Sequence, residues 1–138
     1  MNRSSRIRGM KILLIDDDEW IRDSLTIFFE DEGCYVLALQ TAEEGLTAIK
    51  DQIFDLIIVD YKLPGLDGIE FLKRIQDTQA GAIKVLITAY RNDSVVSEAK
   101  KMSVNGFIEK PFTSDTIMAS LNHLIKMRNR YDQREMRK

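Results

Sequence analysis

The chain is predicted to be an α/β domain, with one parallel sheet of five strands covered by helices on both faces. Three features support this reading. Short apolar runs rich in Ile, Val and Leu recur at 12–15, 34–39, 53–59, 82–88 and 104–108. Near-continuous runs of 4–7 residues are what strands buried on both faces require. Between them the apolar period changes to that of a helix: Ile21, Leu25, Phe28 and Phe29 recur at i, i+4, i+7 and i+8, and Ile117, Leu121, Leu124 and Ile125 repeat the spacing. Helix-start residues also stand where each helix should begin. Five β-α units in succession argue for a single parallel sheet.

Taken in order, the first strand, at 12–15, runs into Asp18, an N-cap for the first helix, and Gly33 follows that helix as its left-handed terminator. The second strand, at 34–39, leads into Thr41-Ala-Glu-Glu44, a capping box, and the third, at 53–59, into Asp67-Gly-Ile-Glu70, its Asp variant. The fourth, at 82–88, precedes a weaker, more polar helix marked by Val95, Ala99 and Met102 and capped by Asn92 or Asp93. The fifth, at 104–108, precedes a helix capped by Thr113. Trp20 reads as a packing residue of the first helix, Cys34 as a small buried hydrophobe, and His123 as a surface or partly buried helical residue.

The 138 residues suit one domain, and 44% hydrophobic with 30% charged residues is a globular composition. A single Cys and a single His exclude a disulfide framework and Cys- or His-cluster metal sites. No apolar run is long enough to span a bilayer, and the basic start lacks the apolar stretch of a signal peptide, so a cytoplasmic protein is expected. The net charge of −2 conceals segregation: residues 1–11 carry +4, residues 126–138 carry +4, and residues 12–125 carry −10. An acidic body argues against direct nucleic-acid binding and fits carboxylates gathered around a hard cation. The predicted organisation is a basic N-terminal tail over 1–9, a body over 10–127, and a charged segment over 128–138 that extends the last helix or begins a linker.

Sites in open α/β sheets form at the carboxyl ends of the strands. Here those ends carry Asp16, Asp17 and Asp18, then Asp60, Thr88 and Lys110. Carboxylates sharing one pocket repel unless a cation sits among them. An all-oxygen cluster suits Mg²⁺, with Mn²⁺ as the alternative. A carboxylate can attack a phosphoryl group to give an acyl phosphate, while a metal ion and a lysine neutralise the charge on the phosphoryl oxygens.

Four segments together, Ile12-Leu-Leu-Ile-Asp16-Asp17-Asp18, Leu56-Ile-Ile-Val-Asp60-Tyr-Lys-Leu-Pro64-Gly65-Leu-Asp67-Gly68, Val85-Leu-Ile-Thr88-Ala89-Tyr90 and Gly106-Phe-Ile-Glu-Lys110-Pro111-Phe112, resemble the receiver domain of two-component response regulators. The resemblance covers about residues 10–127. It implies a flavodoxin-like sheet in the order 2-1-3-4-5 flanked by five helices. It implies Asp60 as phospho-acceptor, with Mg²⁺ held by Asp16, Asp17, Asp60 and the backbone carbonyl of Lys62. Thr88 and Lys110 would contact the phosphoryl group, and Thr88 and Phe107 would form the switch. The Lys110–Pro111 peptide would be cis. Lys62 and Tyr90 occupy positions that tune access of water to the acyl phosphate; both are long here, which predicts slow self-dephosphorylation. Asp18 departs from the pattern as a third acid and is read as a helix start.

The implied partners are a sensor histidine kinase or phosphotransfer protein, an output domain or protein, and a second copy of the chain on phosphorylation, without nucleic acid or membrane. The implied function is a switch that catalyses only its own phosphorylation and dephosphorylation. An aspartate-nucleophile phosphatase of the haloacid dehalogenase type needs a second acid two residues after the nucleophile, where this chain has Lys62. A flavodoxin-like FMN binder needs a phosphate-binding loop where this chain has Asp16, Asp17 and Asp18. A receiver-like module that is never phosphorylated would have no use for the full acid, hydroxyl and lysine set.

Overall fold

The computed structural model describes residues 6–89 and 92–136, with side chains described up to residue 130. Strands and helices alternate throughout: β1 (Lys11–Ile15), α1 (Glu19–Asp31), β2 (Tyr35–Leu39), α2 (Ala42–Ala48), β3 (Leu56–Asp60), α3 (Gly68–Ile75), β4 (Ile83–Thr88), α4 (Asp93–Lys101), β5 (Gly106–Glu109) and α5 (Ser114–Met136). The strands form one sheet in the order β2-β1-β3-β4-β5, and every pairing is parallel. Strand order reverses direction at β1 and β3, which opens a crevice at their carboxyl ends.

The two-residue period of the strands divides the core. Leu13, Ile15, Ile57, Val59 and Leu86 face Phe71, Leu72, Ile75, Val95 and Ala99 of α3 and α4. Ile12, Leu14, Ile58, Val85 and Ile87 face Leu25 and Phe29 of α1 and Ile117, Leu121 and Ile125 of α5. The central strands β3 and β4 are buried along their whole length, whereas the edge strand β2 is half-exposed. The helix starts are held locally. Asp18 accepts from Ile21 N at 3.2 Å, Thr41 and Glu44 close a capping box, and Asp67 accepts from Glu70 N at 2.8 Å. Asn92, not Asp93, caps α4, accepting from Val95 N at 3.0 Å, and Thr113 Oγ1 accepts from Thr116 N at 3.1 Å. Gly33 ends α1 with φ of 87°.

Three local features differ from the sequence reading. β3 starts at Leu56 rather than 53, because the preceding residues bond elsewhere: Phe54 N donates to Gln79 Oε1 at 3.0 Å and Asp55 accepts from Lys11 N at 2.8 Å. Trp20 does not pack; on the first turn of α1 it is 77% exposed. Ile7, within the basic leading segment, is fully buried; that segment is stitched down by Gly9 N to Gly33 O at 2.9 Å and Arg6 N to Asn122 Oδ1 at 3.1 Å. A single apolar residue among bases carries no period, so the sequence could not mark it. α5 itself continues as helix to Met136. Among the described residues no helix is long and apolar enough to cross a membrane.

Candidate functional site

The crevice is built by four strand ends. β1 delivers Asp16 and Asp17, and Asp16 N is fixed to Leu39 O at 3.1 Å. The Asp16 carbonyl accepts from the Arg22 guanidinium at 2.9 Å, and its carboxylate Oδ1 from Asp18 N at 2.9 Å. Asp18 therefore turns the chain into α1 while its own side chain caps that helix. β3 delivers Asp60, and the next residue, Tyr61, is tied across the sheet through its N–H to Ile87 O at 2.7 Å. β4 ends at Thr88, which is buried. Lys110 follows β5 and is positioned by its N–H to Thr88 O at 2.9 Å. The Lys110–Pro111 peptide is cis.

These side chains converge. One carboxylate oxygen from each of Asp16, Asp17 and Asp60 lies within 4.8 Å of the others. Lys110 Nζ donates to Asp60 Oδ2 at 2.9 Å and lies 3.1 Å from Asp16 Oδ2. Asp16 is fully buried and Asp60 nearly so. Burial pushes the Asp60 carboxyl up from 3.8 to about 6; the Lys110 hydrogen bond opposes this, and the charge of Asp16 adds to it. For Lys110 burial acts downward, but Asp60 and Asp16 outweigh it and the ammonium is held above its ordinary value. Three ionised carboxylates against one ammonium leave two negative charges in excess. Asp16 Oδ2 is buried, and its contact is the ion pair with the Lys110 ammonium at 3.1 Å, shared with Asp60. An under-compensated, all-oxygen cluster fits a hard dication.

A cleft of about 440 Å³ opens over the cluster, lined by Asp17, Asp60, Lys62, Thr88 and Lys110 among others. The Lys62 side chain is exposed, and Tyr90 lies outside the described residues. Phe107 is half-buried against the core on the α3 and α4 side. It pairs with Leu86 in the β4–β5 register, two residues before the Thr88–Glu109 pair, and so stands on the same face of the sheet as Thr88.

The loop after β3 has supports that the sequence reading missed. Glu43 Oε2 accepts from Leu66 N at 3.1 Å beside Gly65, whose φ is 75°. Gly68 N donates to Tyr61 O at 2.9 Å, and a Cβ on Gly68 would run into the Asp60 carbonyl oxygen and approach Tyr61 Cα to 3.0 Å. Both obstacles are backbone and cannot rotate away. Gly68→Ala is therefore expected to cost about 1–3 kcal/mol of stability by overpacking and to displace Asp60. Gly81→Ala, where a Cβ would meet nothing within 4 Å, should be near neutral. Urea midpoints for the two variants check this; equal midpoints would contradict it.

Comparison with known proteins agrees with this geometry. The family described as Response regulator receiver domain matches residues 12–122. The chain is 34% identical over 115 residues to the transcriptional regulatory protein FixJ of Bradyrhizobium diazoefficiens, covering 83% of this chain but 56% of FixJ. It is 36% identical over 124 residues to the chemotaxis protein CheY-3 of Vibrio cholerae, covering 86% of this chain and 94% of that one. A CheY-like receiver domain structure from Methanospirillum hungatei superposes with a TM-score of 0.78 at 29% identity, covering 94% of this chain and 99% of the other. An acidic crevice at the strand-order reversal of a 2-1-3-4-5 sheet, together with a family match across nearly the whole body, places this chain in the response regulator receiver domain family.

Proposed function

We propose that the chain is a phosphorylation-driven switch in which Asp60 accepts a phosphoryl group from the phosphohistidine of a sensor kinase or phosphotransfer protein. The observation that carries this reading is the Lys110–Asp60 hydrogen bond at 2.9 Å within the three-carboxylate cluster. Asp16, Asp17, Asp60 and the Lys62 carbonyl would hold Mg²⁺, or Mn²⁺ in its place, which supplies charge neutralisation at the phosphoryl oxygens. An Asp60 carboxylate oxygen bonds to phosphorus as the P–N bond breaks, and the leaving imidazole keeps the electron pair. Lys110 transfers its interaction from the carboxylate to the phosphoryl oxygens, and the Thr88 hydroxyl donates to one of them. The cleft of about 800 Å³ beside Lys110, lined in part by Trp20, Ile27, Phe28 and Phe112, supports a protein donor, since it sets apolar surface next to the acceptor.

Movement of Thr88 toward the phosphoryl group would draw Phe107 inward and reshape the surface of α4, β5 and α5, the signal to an output domain, a partner protein or a second copy of the chain. The phosphoryl group must then favour the active conformer over the inactive one. The reaction modifies only the protein itself, so the role is that of a switch rather than a turnover enzyme, within the cytoplasm. Incubation of the full chain with acetyl phosphate and Mg²⁺, followed by intact-mass measurement, should show one added phosphoryl group, lost when EDTA replaces Mg²⁺. No adduct with several phosphodonors would point to a receiver-like module that is never phosphorylated.

The long side chains at Lys62 and Tyr90 are proposed to slow hydrolysis of the acyl phosphate by crowding the approach of water. Lys62→Ala and Tyr90→Ala should each shorten its lifetime, by roughly 2- to 10-fold if about 0.4–1.4 kcal/mol of barrier is removed. Phosphate release measured after removal of the donor checks this, and an unchanged or longer lifetime contradicts it.

A further inference from the structure

At the opposite end of the sheet from Asp60, a cleft of about 410 Å³ lies between the start of β4, the loop after α4 and the second half of α5; Lys84, Ser103, Asn105 and Arg128 contribute its polar lining. Lys84 is the second residue of β4, four residues from Thr88, so it stands about 13 Å along the strand from the acidic crevice. It is 3% exposed. A lysine so buried is normally paired with an acid. Here Nζ has only the Ala82 carbonyl, at 3.3 Å. Among the described residues every ion pair belongs to Lys110, so neither Lys84 nor Arg128 has a carboxylate partner among them.

Burial, with the charge of Arg128 adding to it, holds the Lys84 ammonium below its ordinary value. The Asn105 side-chain oxygen Oδ1 is already engaged, accepting from Lys84 N at 2.7 Å, which leaves the side-chain N–H₂ as a donor. Ser103, held at φ 61°, adds a hydroxyl. The lining thus offers two cations and two neutral donors, with no acidic side chain among the described lining residues.

We propose that this cleft is a second binding site, specific for an oxyanion, a phosphate or carboxylate group held between Lys84 and Arg128 with Ser103 and Asn105 as further donors. The occupant supplies the charge that the fold leaves out, and it bridges β4, the α4–β5 loop and α5. The acidic crevice cannot serve as this site without a metal ion, since its carboxylates repel anions.

The test is a titration of the ¹⁵N-labelled full chain in EDTA with inorganic phosphate or acetate, ionic strength being balanced with chloride. Saturable amide shifts at Lys84, Ser103, Asn105 and Arg128, with a dissociation constant on the order of 1 mM, support the site. Whichever anion saturates at the lower concentration identifies the ligand class. Arg128→Gln removes a half-exposed charge, and Lys84→Met keeps the length of the buried stem; each should weaken binding at least about tenfold, the loss of one charge-assisted contact. Shifts that stay linear for both anions, or that are the same in both variants, would overturn the proposal.

Discussion

Replacing Asp60 with Asn is expected to abolish phosphoryl uptake and, in the metal-free protein, to raise stability above pH 6. The amide has no nucleophilic oxygen anion, so the acyl phosphate cannot form. The stability gain follows from burial. The folded-state value of Asp60, about 6, lies above the ordinary 3.8. Stabilisation from the protonated carboxyl is therefore complete below pH 3.8 and is lost as the pH rises through about 6. The shift from 3.8 to about 6 sets an upper bound of about 3 kcal/mol. Because Lys110 keeps Asp16 at 3.1 Å but loses its charged partner at 2.9 Å, a net gain of about 1–2 kcal/mol is expected at neutral pH. Urea unfolding of both proteins in EDTA should show this gain shrinking as pH falls from 6 toward 4. A gain independent of pH would mean that Asp60 carries no buried-charge penalty.

Replacing Lys110 with Met is expected to have the opposite sign. It removes the only cation ion-paired with the Asp60 and Asp16 carboxylates among the described residues and leaves three carboxylates facing one another. Breaking a buried ion pair from one side costs roughly 3–5 kcal/mol. Lys110 is 21% exposed, so about 2–4 kcal/mol is expected at neutral pH once solvent screening is allowed for. The loss should be smaller at about pH 5, where Asp60 takes up a proton, and Mg²⁺ should restore part of it. Urea midpoints at the two pH values, with and without Mg²⁺, measure this. Phosphoryl uptake should fall as well, because the ammonium no longer offsets charge on the transferring oxygens.

The features legible in the sequence were those with a short-range signal. A parallel sheet covered on both faces needs apolar runs, and helix starts are set within four residues by Asp18, Thr41, Asp67 and Asn92. The site was legible because strand ends in such folds converge, which brings Asp16, Asp60 and Lys110 together from positions far apart in the chain. What stayed hidden depends on single long-range contacts without spacing or periodicity. Ile7 is buried only because its segment is stitched to the loop after α1 and to α5. The Glu43 support for Leu66 spans 23 residues. Lys84 interrupts an apolar run, and only its burial shows that it is more than a strand residue.

The central claim is that Asp60, and no other residue, carries the phosphoryl group. Its most direct test is reductive trapping with borohydride, which converts an aspartyl phosphate to homoserine, followed by peptide mass spectrometry of the chain treated with acetyl phosphate and Mg²⁺. The expected result is homoserine at position 60 alone. Trapping at Asp16 or Asp17, or a phosphoryl group on His123, would contradict it.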